Sequence, residues 1–224
     1  MMELSDPEKL AHYVRSLPDF EIYKTLDGKY DHIGTAVAEA VLQANRRYQT
    51  HVKPRVNRIL AQYPEARTTR SVLHLLKSIT ATEFLDWHGK DRTERFSRIL
   101  DLFAAEGIED EADLREWLSQ EPNLRKLRAI KGIGPKTIDY FKILVGISTC
   151  AIDRHLLKFL ELAGLSPRGY REAQAIINAT ADILSIDRAY FDHSIWQFMS
   201  KRAAASQTAV NRACAKNPPQ AAGY

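Results

Sequence analysis

Cysteine is scarce in this chain, since Cys150 and Cys214 are its only two and their spacing is not that of metal ligands. Two thiols exclude a disulfide framework, a zinc finger and a four-cysteine iron–sulfur site. No apolar run approaches the ~20 residues that span a bilayer, and the N-terminus lacks the pattern of a signal peptide. We therefore expect no metal held by side chains, no membrane partner and a reduced, cytoplasmic location, associated with the nucleoid in a bacterium.

Strand patterns are also missing. No segment alternates apolar and polar residues with the period of two typical of a half-buried strand, and there is no tandem repeat. Apolar residues recur instead at helical spacing, as Phe96, Ile99 and Phe103 do. The 224 residues, 45% of them hydrophobic and 27% charged, have an ordinary globular composition. The predicted fold class is all-α.

Start and stop signals set the bounds of the predicted helices. Ser5 and Glu8 form a capping-box pattern ahead of the first helix, and Gly107 is typical of a C-terminal stop. From Ala203 onward large apolar residues are few, so 203–224 is predicted to be a disordered tail. The predicted helices cover about 6–16, 34–45, 91–106, 109–118, 136–146, 154–162, 169–184 and 186–201, with shorter ones beginning near 54, 69 and 80 and a basic one before 131.

The basic excess of the chain is mild overall and strong in one place. The net charge of +4 and the isoelectric point near 9.0 permit a nucleic-acid or other anionic partner and prove neither. Between Glu121 and Asp139, however, no acidic residue occurs. The cations there are Arg125, Lys126, Arg128, Lys131 and Lys136. A charge bias of this kind favours a phosphate-bearing partner over a merely solvated face.

A tight glycine turn lies inside this basic segment. Gly132 and Gly134 flank Ile133, and Pro135 suits the first turn of the next helix. Unpaired N–H groups should collect where the turn meets that helix, and such groups bind phosphate. An ordinary helical hairpin with a solvated basic face is the alternative. The predicted contacts to a DNA backbone are Lys131, Gly132, Ile133, Gly134, Lys136 and Thr137.

Asp153 adds a carboxylate that the chain can bring near Lys136. The helix 136–146 rises about 15 Å, and the connection 147–152 reaches about 20 Å when extended. A carboxylate near an amine can accept its proton or stabilise positive charge on a substrate, and a deprotonated lysine is a nucleophile. The simpler alternative makes Asp153 the N-cap of helix 154–162 and Lys136 a phosphate contact. The residues alone leave both interpretations open.

The segment 127–160 resembles the helix-hairpin-helix (HhH-GPD) DNA glycosylase superfamily, of the endonuclease III type. The resemblance lies in Leu127-x-x-Ile-Lys-Gly-Ile-Gly-Pro-Lys-Thr, followed by Asp153-Arg-His seventeen residues after Lys136. A weaker, collinear resemblance covers 34–118, where Gln43 falls at the position of a DNA-inserting glutamine in many members. The hairpin alone also occurs in DNA-binding proteins that are not enzymes, whereas hairpin and aspartate at this spacing are more specific.

The resemblance implies a two-lobed helical fold with a DNA-binding cleft between the lobes. One lobe would be a six-helix barrel over 31–147, and the other would combine 1–30 with 148–202. The partner would be double-stranded DNA with a damaged or abasic site, bound by a monomer. A base would be flipped out, Asp153 would assist its departure, and Lys136 would attack the sugar C1′ as a Schiff-base lysine before β-elimination.

The resemblance to these glycosylases also bears on the expected cofactors and on the alternative functions. The iron–sulfur cysteines of endonuclease III are missing, so we expect no cluster; a monovalent cation at the hairpin carbonyls is compatible with the resemblance. The Gly-x-Gly-x-Lys-Thr motif of 132–137 is shared by hairpins that are not catalytic. Two alternatives therefore stay open: a monofunctional glycosylase with Lys136 a bystander, and a non-enzymatic DNA-binding protein.

Base specificity has only candidate residues. Each has a side chain that can stack on or bond a base, and each is equally plausible as packing or surface. These residues do not indicate which damaged base the protein would recognise. The DNA-inserting or pocket candidates are Gln43, Tyr48, His32, Trp87, His88 and His193.

Overall fold

The computed structural model describes residues 4–25, 29–44 and 46–216, with side chains as far as 203. These residues form α-helices and one π-helical turn, Tyr48–Val52, and contain no strand, which confirms the all-α prediction. The α-helices are α1 Asp6–Ser16, α2 Ile33–Leu42, α3 Lys53–Gln62, α4 Thr69–Leu75, α5 Ala81–Leu85, α6 Lys90–Ala105, α7 Glu111–Leu118, α8 Glu121–Arg128, α9 Pro135–Leu144, α10 Arg154–Leu162, α11 Tyr170–Leu184 and α12 Arg188–Lys216.

The chain divides into two compact units. One unit combines Met1–Leu26 with Ile152–Tyr224, and the other is Asp27–Ala151. The predicted domain limits of 31 and 147 each differ from these by four residues. The described part of the second unit contains eight α-helices, where the resemblance implies a barrel of six.

Helix α2 is the centre of the Asp27–Ala151 unit. Every residue from Ile33 to Leu42 is buried, because α3, α4, α6 and α9 all pack against this helix. A helix that is apolar on all sides is suited to such a position. Its one acidic residue, Glu39, is 0% exposed and must therefore be satisfied by protein groups.

The other unit is built from two helix pairs. Helix α1 packs on α11, and α10 packs on α12. Tyr13 on α1 joins the two pairs, with its ring centroid 5.5 Å from that of Phe159 on α10. Phe20, which follows α1, packs on α10 and α12, with its centroid 5.6 Å from that of Phe159 and 5.4 Å from that of Phe198. This packing fixes the start of α10, where Asp153 lies.

The C-terminal helix is longer than the sequence predicts. Helix α12 continues to Lys216, so the predicted tail begins too early at 203, and 217–224 lie outside the described residues. The prediction of a disordered tail was based on the lack of large apolar side chains. It overlooked helix propensity, which is highest for alanine, a frequent residue in 203–216.

Within the described residues, no helix combines the length and apolar character needed to cross a bilayer. The same residues contain no group of three or more His, Cys, Asp or Glu side chains arranged to hold a metal ion.

Candidate nucleic-acid interface

The turn between α8 and α9 uses its two glycines differently. Gly132 has a φ of +86°, and a Cβ there would lie 1.9 Å from Nη2 of Arg95. Gly134 is the N-cap of α9 with an extended backbone, and a Cβ there would meet no atom within 4 Å. The fold therefore requires glycine at 132, whereas the space beside Gly134 is open to a ligand.

The first turn of α9 presents main-chain donors. Ile138 N–H is bonded to the Gly134 carbonyl at 3.2 Å, no side chain caps the helix, and Pro135 has no N–H. Within the described residues the N–H groups of Lys136 and Thr137 have no acceptor. A basic helix N-terminus with spare amides is suited to a phosphate.

The predicted backbone-binding residues fall into two groups. Lys131 and Gly132 are exposed, and Gly134 and Lys136 are partly exposed. Ile133 and Thr137 are buried, at 5% and 8% exposure, so their side chains support the turn. Arg95 is added by the structure: its Nε donates to the Lys131 carbonyl at 2.9 Å, which places a guanidinium at one of the hairpin carbonyls.

Lys136 and Gln43, two predicted site residues, lie together. Lys136 Nζ donates to Gln43 Oε1 at 3.2 Å. Gln43 is 9% exposed, and its Nε2 is buried without an acceptor in the described part of the chain. In this structure Gln43 therefore orients the lysine rather than projecting into solvent.

One helical turn away, a second pair of side chains joins the same two helices. Tyr140 Oη donates to Glu39 Oε1 at 2.5 Å, and the Tyr30 hydroxyl donates to Oε2. The Tyr48 hydroxyl bonds to that of Tyr30. Burial and the neighbouring charge of Glu39 raise the pKa of both Tyr30 and Tyr140. The phenols thus stay protonated donors to the buried carboxylate, beneath Lys136 and Gln43.

His32 is committed to the fold. It is 2% exposed and caps α2, its Nδ1 accepting from Thr35 N–H at 3.1 Å. Its Nε2–H donates to the Tyr63 carbonyl at 2.9 Å. Burial lowers the pKa of His32, in keeping with a neutral ring. With both nitrogens engaged, His32 takes the packing role that its sequence left open.

Trp87 is surrounded by arginines, a set that we call the Trp87 cluster: Trp87, Arg46, Arg55 and Arg92. The guanidinium carbons lie 4.7 Å (Arg92), 5.2 Å (Arg55) and 5.5 Å (Arg46) from the indole centroid. Each is within the range of a cation–π contact. His88, the next residue, is exposed.

Asp153 caps α10, as the simpler of its two interpretations predicts. Its Oδ1 accepts from His155 N–H at 2.7 Å and from Leu156 N–H at 3.1 Å. Its Oδ2 has no partner among the described residues, and the side chain is partly exposed. The cap thus fixes the carboxylate and leaves one oxygen available. Asp153 and Lys136 belong to different compact units.

His193 belongs to a row of rings in the unit that contains Asp153. It stacks on Trp196, with centroids 6.3 Å apart and planes at 15°, and meets Tyr23 edge-on at 5.8 Å. His155 meets the same indole edge-on at 6.1 Å. Trp196 is not among the residues predicted for a base pocket, so this row was not predicted.

A family model described as a domain of unknown function (DUF8548) matches residues 88–200, just over half of the chain. The chain belongs to this family. The matched DUF8548 segment includes the hairpin, Lys136 and Asp153, and it begins after Gln43 and Trp87. No curated protein and no solved structure matches the chain significantly.

Arg92 and Arg95 are candidate interface residues that sequence reasoning missed. They lie three residues apart on α6, so they share a face of the helix. Their spacing was visible, but Arg92 bonds to the Ala44 carbonyl, 48 residues away, and Arg95 bonds to the Lys131 carbonyl, 36 residues away. Only the folded chain shows that these two arginines extend the basic surface of the hairpin.

Proposed function

We propose that this protein binds duplex DNA through the α8–α9 hairpin and acts on it as a base-excision DNA glycosylase, with strand cleavage at the abasic site through Lys136. The two-lobed helical fold of the HhH-GPD superfamily is part of the same proposal. It rests on the resemblance of the segment 127–160 together with the geometry of the hairpin.

The observation that supports DNA binding most directly is the first turn of α9. Two amides there have no acceptor within the described residues, and the space beside Gly134 is open. The neighbouring cations are Lys131, Lys136 and Arg95, which bonds to the Lys131 carbonyl. Phosphate contacts of this type position a protein on a duplex without reading its sequence. The hairpin is therefore the proposed backbone clamp.

The chemical steps of the proposal belong to two side chains. The free oxygen of Asp153 would stabilise the positive charge that develops on the sugar as the base leaves. The Lys136 amine, after losing a proton to water, would attack C1′ as the bond from C1′ to the base breaks and the base leaves with a proton. Opening of the C1′–O4′ bond would give the Schiff base, and β-elimination would then expel the 3′ phosphate and break the strand. Its hydrogen bond to Gln43 supplies a fixed direction for the amine.

Borohydride trapping tests the proposal. Duplexes with oxidised, alkylated, mismatched or abasic sites are incubated with protein and borohydride, which reduces a Schiff base to a stable adduct. We expect a covalent complex with at least one substrate, and we expect Lys136→Gln to abolish it. Asp153→Asn should slow base release by orders of magnitude while keeping the helix cap, because asparagine caps as well as aspartate.

Lys131→Gln is the matched control for the lysine. It removes a hairpin cation but no proposed nucleophile, so it should weaken binding while a saturating concentration of protein still gives the adduct. Adduct formation unchanged in Lys136→Gln would refute the Schiff-base step. Duplex binding with no base release and no effect of Asp153→Asn would refute the glycosylase.

A second candidate function is DNA binding without lyase chemistry. The bond between Lys136 and Gln43 favours it, because it gives the lysine a structural role in joining α9 to α2. Base release without trapping would identify a monofunctional glycosylase. Binding alone would leave the non-enzymatic hairpin.

A further inference from the structure

The geometry of the Asp27–Ala151 unit points to a second phosphate site outside the hairpin. We propose that Arg46 and Arg92, held on the face of Trp87, bind a phosphodiester of the same DNA duplex that the hairpin clamps. This inference rests on the proposed DNA binding and adds a contact that neither the sequence nor the resemblance assigns.

The cations of the Trp87 cluster outnumber the carboxylates beside them. Arg55 forms an ion pair with Asp86 at 3.3 Å and donates to two main-chain carbonyls. Arg46 and Arg92 have no carboxylate within ion-pair distance among the described residues; the nearest acidic neighbour of Arg92 in sequence, Asp91, is exposed. Two guanidinium charges near one ring are thus left for an external anion.

These like charges oppose one another in the free protein. Burial, followed by the charges of Arg46 and Arg95, lowers the pKa of Arg92. A phosphate placed among these guanidiniums would replace repulsion by attraction. Its oxygens match the planar fork of arginine, which can donate two bonds to one phosphate.

The site is held in place before any ligand arrives. Arg92 Nη2 donates to the Ala44 carbonyl at 2.6 Å, which fixes the guanidinium beside the end of α2. Gly89 lies so close to Trp87 that a Cβ there would be 2.5 Å from the indole Nε1. Fixed donors bind more tightly than mobile ones because less conformational entropy is lost on binding.

A line of arginines on α6 connects this site with the hairpin. Arg92 and Arg95 are three residues apart on one face, and Arg95 bonds to the Lys131 carbonyl in the hairpin turn. A DNA backbone presents phosphates at regular intervals, so a duplex bound at the turn continues along such a row. This continuity favours a phosphodiester over an acidic protein segment.

Affinity for a labelled duplex, measured against salt concentration, tests the inference. Arg46→Gln is the cleanest variant, since the Arg46 guanidinium has no hydrogen bond or ion pair within the described residues and its loss should leave the fold unchanged. Removing one phosphate contact should reduce the salt slope by about 0.9 and weaken binding about eightfold near 0.1 M salt. Arg46→Gln with Arg92→Gln should roughly double the change in slope.

Arg115→Gln is the matched control, because it removes an exposed arginine from α7, outside both the cluster and the row of arginines on α6. It should keep the wild-type slope. Thermal unfolding of each variant checks that the fold survives.

Other outcomes separate the two proposals. If Lys131→Gln weakens binding while the Arg46 and Arg92 variants match Arg115→Gln, the second site is refuted and the hairpin stands. If the wild type does not bind duplex at all, both proposals fail. Stabilisation by inorganic phosphate that Arg46→Gln removes, with unchanged duplex affinity, would assign the cluster to free phosphate and refute the inference. Loss of binding only to an acidic polypeptide would also refute it.

Discussion

At the scale of the residue, the role of a side chain depended less on its chemical type than on the hydrogen-bond partners that the fold supplies. His32 was one of several imidazoles with the chemistry of a base pocket. Its Nε2 is engaged by the carbonyl of Tyr63, which is 31 residues away in sequence. A sequence gives no means of foreseeing that bond, so the role of His32 could not be decided before the structure.

The burial of His32 predicts a pH effect on stability. Because its folded pKa lies below the ordinary 6.5, the unfolded chain binds the extra proton first. The neutral ring thus contributes its full stability above pH 6.5, and part of it is lost as the pH falls from there toward the folded pKa. We expect His32→Asn, which retains a capping side chain, to lose less free energy of unfolding than the wild type between neutral and mildly acidic pH.

Urea unfolding across that interval measures this difference. His88→Asn is the matched control, since His88 is exposed and should leave the pH dependence of the wild type in place. An identical pH profile for His32→Asn and wild type would contradict a neutral buried cap.

At the scale of the element, local signals predicted where helices begin better than where they end. Helix α1 and helix α10 begin at the predicted residues, because Ser5 with Glu8 and Asp153 supply strong N-terminal caps. Helix α2 stops at Leu42 instead of 45, and a π-helical turn follows at Tyr48–Val52. The periodicity of apolar residues contains no signal for a π turn. Helix ends therefore depended on tertiary packing.

The two hairpin glycines should differ in what they contribute to stability and to binding. Gly132→Ala should destabilise the fold by about 1–2 kcal/mol, because its φ is positive and its Cβ would displace Arg95. Gly134→Ala should cost less, about 0.5–1 kcal/mol, because alanine is a poorer N-cap than glycine although its backbone is allowed there. It should nevertheless weaken duplex binding, since the methyl group would occupy the space beside the free amides.

Chemical denaturation measures the stability of the two glycine variants, and titration with duplex DNA measures their affinity. Equal loss of stability in both would show that the two glycines serve the turn alike. Full affinity in Gly134→Ala would place the phosphate elsewhere.

At the scale of the whole molecule, the fold class was accessible from the sequence and the interface only in part. The missing strand pattern and the helical periodicity sufficed for an all-α prediction. The hairpin was also visible, because its residues are contiguous. The contact of Lys136 with Gln43 joins residues 93 positions apart, and the arginines around Trp87 come from several helices and loops. Such long-range pairing has no local signature.

The salt dependence of DNA binding shows whether the net charge or the local surface governs association. A net charge of +4 spread over the molecule would give only a shallow dependence. If Lys131, Lys136, Arg46, Arg92 and Arg95 each contact a phosphate, the slope of log K against log salt should be about −4.5, and the affinity should fall about 500-fold between 50 and 200 mM salt. Fluorescence anisotropy of a labelled duplex measures it. A slope near zero would contradict both phosphate sites, because contacts that release no counterions are not contacts with phosphate.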